Sequence, residues 1–185
     1  MNSLRALLLV ISIIFFASCG DEVVVKPAAK LRLQYPLPSY KTVNIDCPFQ
    51  FEKNGISSVV IKESCNVNLE YPKMKATVYI TYQRVNNNIE ALLTDAQKLT
   101  YDHTIKANEI FEQPRVDTLH KVYGMFYMIN GDAATQSQFY VTDSIHHFVT
   151  GSLYFDAKPN YDSIYPAVVY LRDDIRRIME SIKWK

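Results

Sequence analysis

The chain has 185 residues, with 20 basic and 19 acidic side chains, and 48% of it is hydrophobic, with many tyrosines and phenylalanines. Balanced charge, with lysines and arginines scattered rather than grouped, argues against a nucleic-acid partner, which calls for a basic surface. Without its first 18 residues the chain keeps about 167, the size of one domain with a sizeable core.

Residues 1–18 read as an export signal. Arg5 is the one charge before an apolar run from Ala6 to Ala17, broken only by Ser12. As a helix this run of ~12 residues spans ~18 Å, short of a hydrocarbon core of ~30 Å. It suits the h-region of a secretory signal. Ala17-Ser18-Cys19-Gly20 follows, placing small residues before a cleavage point and a thiol directly after it. Cys19 is therefore predicted to be the lipidated first residue of the mature chain. Phe16 departs from the commoner leucine there. An ordinary signal peptide with an accidental cysteine, or a buried apolar helix, is the alternative. Two or more acyl chains attach stably where one binds only marginally.

Cys47 and Cys65 remain as an even pair. In an oxidising compartment they are expected to form a disulfide around about 17 residues, stabilising by ~3 kcal/mol. Two free, buried thiols are the alternative.

Residues 19–30 read as anchor and tether, and residues 31–185 as one α+β domain. Leu31 to Tyr40, with Pro36 and Pro38, is expected to run extended over that domain. Phe49 to Glu52 alternates, Asn54-Gly55 offers a turn, and Ser58 to Ile61 is the next strand. Val67 and Leu69 alternate with polar neighbours, and Ala76 to Val85 is strongly β-forming. A weak echo links Leu33-Gln34-Tyr35-Pro36 with Leu69-Glu70-Tyr71-Pro72, too short to count as a repeat.

After Asn86-Asn87-Asn88, the residues Ile89, Leu92, Leu93, Ala96, Leu99 and His103 recur at helical spacing and predict a helix over 89–104. Strands are expected at 121–129, 136–142 and 147–155, with turn chemistry between them and hence an antiparallel meander. Val168, Leu171, Ile175, Ile178 and Ile182 predict a second amphipathic helix with Pro166 near its start. Asp173 and Arg177 are spaced to pair on its wet face. The expected architecture is an antiparallel sheet of about six to seven strands with two packed amphipathic helices. By analogy it resembles the PsbP/Mog1-type arrangement.

Catalytic chemistry finds little support. His103 lies on the apolar stripe beside Asp102 and reads as a hydrogen-bonded core histidine. His146 and His147 point to opposite faces of a strand, so they do not chelate one ion. No zinc-protease pattern, nucleophile elbow or phosphate loop is present. Asp132 reads as a turn residue, with a general acid or base as the alternative. Tyr35, Tyr40, Tyr71, Tyr79 and Tyr82 read as sheet packing, with an aromatic binding surface as the alternative. No catalytic residue, metal or cofactor is implied.

Several strings carry a family resemblance. They are 71–77 (YPKMKAT), 86–88 (NNN), 98–104 (KLTYDHT), 121–125 (KVYGM), 131–136 (GDAATQ), 138–140 (QFY) and 154–163 (YFDAKPNYDS). Together they resemble the gliding motility lipoprotein GldD family, over about Leu31 to Lys185, with Gly20 to Lys30 outside the resemblance. It implies a non-enzymatic, membrane-anchored lipoprotein that supports gliding and the associated type IX secretion machinery. Its partners would be other envelope proteins of that machinery and the membrane itself, with the outer membrane favoured and the domain facing the periplasm. A carrier of a small apolar ligand, held between sheet and helices, is the competing reading.

Overall fold

The computed structural model describes residues 34–102, 106–156 and 160–185. Ten strands, two α-helices and two single 3-10 turns occur among them. Strands β3 (Ser58–Ile61), β4 (Val67–Tyr71), β5 (Ala76–Arg84), β6 (Ala107–Asp117), β7 (Val122–Gly131), β8 (Thr135–Thr142) and β9 (His147–Phe155) form one seven-stranded sheet. Its order is β3-β4-β5-β9-β8-β7-β6, and every pairing is antiparallel. The expected meander is present over β7 to β9. Strands β1 (Tyr40–Val43), β2 (Phe49–Asn54) and β10 (Lys183–Trp184) form a separate three-stranded sheet with β2 at its centre.

The second helix, α2, runs from Tyr161 to Ser181, and α1 runs from Ile89 to Tyr101. The predicted stripe of α2 is its buried face: Val168, Leu171, Ile175, Ile178 and Ile182 are all essentially sealed from solvent. It packs on β2 of the small sheet and on β7, β8 and β9 of the large one. Phe49, Phe51, Phe126, Phe139, Val141 and Val149 complete this core. Each fully buried side chain of that size contributes about 1.5–3 kcal/mol, so this face is the main stabilising element. Helix α1 covers Val85, Phe148 and Tyr140, a smaller cluster. Phe148 and Tyr140 alternate with Val149 and Val141, so the two helices lie on opposite faces of the seven-stranded sheet.

Several expectations are corrected. The turn expected at Asn54-Gly55 is present, but it carries the chain from one sheet to the other, because β2 pairs with β1 and β10 and β3 with β4. Helix α1 ends at Tyr101, Leu99 on its expected apolar stripe is 44% exposed, and His103 lies outside the described residues. Helix α2 begins at Tyr161, capped by Asn160, so Pro166 lies in its second turn, where it removes one helical hydrogen bond. Arg177 leaves Asp173 and pairs with Glu52 of β2, its Nε 2.8 Å from the carboxylate. Strand β6 was not expected at all. It is an edge strand, paired with β7 alone among the described residues, and Glu109, Glu112 and Pro114 are tolerated there because they are exposed.

Candidate functional site

Asp174 sits on the buried face of α2, one residue before Ile175, and is only 1% exposed. A carboxylate in that position must be hydrogen-bonded to be tolerated. Tyr40, the first residue of β1, donates its hydroxyl to Asp174 Oδ1 at 2.7 Å. Asn54, the last residue of β2, donates Nδ2 to both oxygens at 3.1 and 3.0 Å. Burial pushes the Asp174 carboxyl above the usual aspartate range, and the bonds from Tyr40 and Asn54 oppose that rise without cancelling it.

Asn54 is satisfied on every side. Its Oδ1 accepts from the backbone amides of Ser39 and Ile56, and its carbonyl accepts from the Ser57 hydroxyl. Its Nδ2 also reaches Tyr170 Oη at 2.9 Å, and Tyr170 in turn donates to the carbonyl of Pro36 at 2.9 Å. One network thus ties α2, the Tyr40–Asn54 end of the small sheet and the incoming chain together. Tyr71, from β4, is 1% exposed and faces Asp174 and Ser57, yet its hydroxyl has no partner at hydrogen-bond geometry. Burial raises the Tyr40 and Tyr71 hydroxyls well above the ordinary tyrosine range, so both stay neutral donors.

Above this clasp opens a cleft of about 590 Å³ lined by Gln34, Tyr35, Pro36, Ile56, Tyr71, Pro72, Lys73 and Met74. Its volume falls in the range of small-molecule sites, but it is an open groove rather than an enclosed cavity. The two Tyr-Pro steps of the weak sequence echo both line it. Tyr35 packs against Tyr170 with ring centroids 5.0 Å apart.

The other singled-out residues scatter. Tyr82 and His147 share a 2.9 Å hydrogen bond, and the His147 ring stacks on Trp184 at 5.1 Å. Desolvation lowers the His147 pKa, which keeps it neutral. His146 is exposed beside Asp143, at 3.4 Å. Asp132 Oδ1 accepts from the amide of Tyr161 at 2.8 Å, so the turn residue also caps α2. Tyr79 is an exposed strand residue in edge contact with Tyr154. Cys47 and Cys65 form a disulfide with Cα atoms 5.7 Å apart, tying the start of β2 to the turn before β4. Cys19 lies outside the described residues. Asp174, Asn54 and Tyr170 escaped the sequence reading. A usable signal did exist: Asp174 interrupts the buried stripe of α2, three residues from Leu171 and four from Ile178.

Buried clasp and open cleft define an α+β domain built to hold its incoming chain firmly and to present one groove beside it. The family model of the gliding motility lipoprotein GldD matches residues 20–184, and the chain belongs to that family. The match takes in Gly20 to Lys30, which the sequence resemblance had left out. The chain is thus a membrane-associated envelope lipoprotein with a role in gliding motility. No curated protein and no solved structure matches it, so no structural match ties the fold to the PsbP/Mog1-type arrangement. Among the described residues no helix is long and apolar enough to cross a membrane.

Proposed function

We propose that the chain is a non-enzymatic, lipid-anchored component of the gliding apparatus that also supports the associated type IX secretion machinery. Acyl groups on Cys19 hold it to the outer membrane, residues 19–30 act as tether, and the domain faces the periplasm. There it binds other envelope proteins of the machinery. The observation that carries this reading is the family match over 20–184, which starts beside the cysteine of the Ala17-Ser18-Cys19 sequence. Anchoring raises the local concentration of the domain near membrane partners, so modest protein–protein affinity suffices.

A small apolar ligand is the second reading; the space between α1 and the sheet is only about 10 Å³, so the 590 Å³ cleft at residues 34–36, 56 and 71–74 is where it would sit. The open side of the groove would leave such a ligand in contact with water, which speaks against a carrier. The test deletes the protein and complements with the natural chain or with Cys19→Ala. Loss of gliding and of type IX export, restored only by the acylated form, is the expected result. Full gliding and export in the deletion strain would overturn the assignment.

A further inference from the structure

The pole at which the chain reaches the domain carries apolar groups that the core does not use. Leu37 is 92% exposed and Ile56 37%. Pro36, Pro72 and Met74 stand with Ile56 in the wall of the cleft. Large apolar side chains grouped on a surface mark an interaction site.

Lysines ring the same pole. Lys73 lines the cleft, and Lys75 follows it in the same exposed turn. Lys41 stands directly opposite Lys53 across the β1–β2 ladder, a like-charge pairing that weakens a sheet left to itself. Lys53 holds its ammonium on the carbonyl oxygens of Asn54 and Ser57, either side of Ile56. Acids on the adjoining elements are engaged or turned away. Glu52 pairs with Arg177, Asp174 is sealed in the clasp, and Glu70 alternates to the other face of β4 from Tyr71. Two neighbouring acids remain exposed: Asp173, and Asp156, whose amide bonds the Lys75 carbonyl at 2.8 Å.

Apolar groups rimmed by lysines fit an anionic lipid surface. Lysine heads meet the phosphates there while the apolar groups enter the boundary between headgroups and acyl chains. The path of the chain favours that occupant over an acidic protein. Gln34 in the cleft wall lies 15 residues after Cys19, a reach of at most ~50 Å that keeps this pole near the bilayer. We propose that the pole docks on an anionic membrane surface, with Leu37 and Ile56 entering the headgroup boundary and the exposed Lys41, Lys73 and Lys75 meeting lipid phosphates. The inference rests on the membrane attachment proposed above.

The test reconstitutes the full chain into vesicles of phosphatidylcholine, with or without phosphatidylglycerol. Leu37→Cys, Ile56→Cys and, for comparison, Leu119→Cys carry an environment-sensitive fluorophore, and lipids with brominated acyl chains serve as quencher. On phosphatidylglycerol vesicles the labels at 37 and 56 are expected to shift to the blue and lose intensity, while the label at 119 stays wet. Lys41→Gln and Lys73→Gln should each lower the docked-to-undocked ratio about fivefold. Flotation of the chain with the vesicles reports attachment separately. Floated protein with wet labels at 37 and 56 would overturn the docking alone, and protection of those labels in intact cells but not on vesicles would replace the lipid with a protein partner. Failure to float would overturn the attachment reading and this inference with it.

Discussion

Tyr40 and Asp174 stand 134 positions apart in the chain and share a 2.7 Å hydrogen bond. That bond fastens the first strand of the small sheet to the middle of α2. Asn54 adds two more bonds to the same carboxylate, so the small sheet, the helix and the incoming chain are fixed around one buried acid. Such a network is stabilising when complete and damaging when one member is removed.

Asp174 gives the clasp a pH dependence whose sign is fixed. Its folded-state pKa is raised above the unfolded value of ~3.9. Its contribution to stability is therefore fully present below the unfolded pKa and is lost as pH rises through the folded one. Asp174→Asn should remove that dependence. The stability of the natural chain relative to the variant is expected to fall as pH rises from about 4. Urea unfolding at a series of pH values checks this, and parallel profiles would show that the carboxyl does not titrate as proposed.

Tyr40→Phe keeps the ring and removes only the donor. The loss is expected to be about 1.5–3 kcal/mol, the range for a hydrogen bond to a charged group. In the Asp174→Asn background the same change should have a smaller effect, because the two residues share one bond. A double-mutant cycle in urea measures the coupling, and additive effects would contradict it.

Asp132→Ala removes the side-chain acceptor for the Tyr161 amide while leaving Asn160 in place. A loss of about 1 kcal/mol is expected, with faster amide exchange confined to the start of α2. Uniformly faster exchange along the whole helix would point to a larger structural role.

Gly151 faces Phe139 across the β8–β9 ladder, and a Cβ at Gly151 would overlap the Phe139 ring. Phe139 is 2% exposed and has no room to retreat. Gly151→Ala is expected to destabilise by about 1–3 kcal/mol through overpacking. Phe139→Leu in the same chain should recover part of that loss, and thermal unfolding of the three variants reads it directly.

Cys47→Ser with Cys65→Ser should lower stability by about 3 kcal/mol in the chain-entropy view. Mass spectrometry of natural protein isolated with its thiols blocked is the direct check. Both cysteines alkylated without prior reduction would exclude the bond in the cell.

Much of this protein was legible in the sequence because local patterns reflect local physics. Val168, Leu171, Ile175, Ile178 and Ile182 fixed the buried face of α2, since a helix repeats every 3.6 residues whatever it packs on. The alternation of β5, β8 and β9 and the turn chemistry between the last two likewise announced an antiparallel sheet, and the long family strings pointed to the gliding lipoproteins. Tertiary structure alone decided which strands met. Asn54-Gly55 looks like a hairpin turn in any sequence, yet β2 is claimed by β1 and β10, whose pairing depends on α2 carrying residues 183–184 back beside Phe49 and Gln50. Strand β6 became visible only through its neighbour, because none of its residues is buried on either face, so its sequence carries no alternation of apolar and polar side chains. The clasp was the least legible of all. Tyr40, Asn54 and Asp174 lie far apart in sequence, and a carboxylate becomes a buried anchor only when the fold brings its donors to it and excludes the water that would otherwise solvate it.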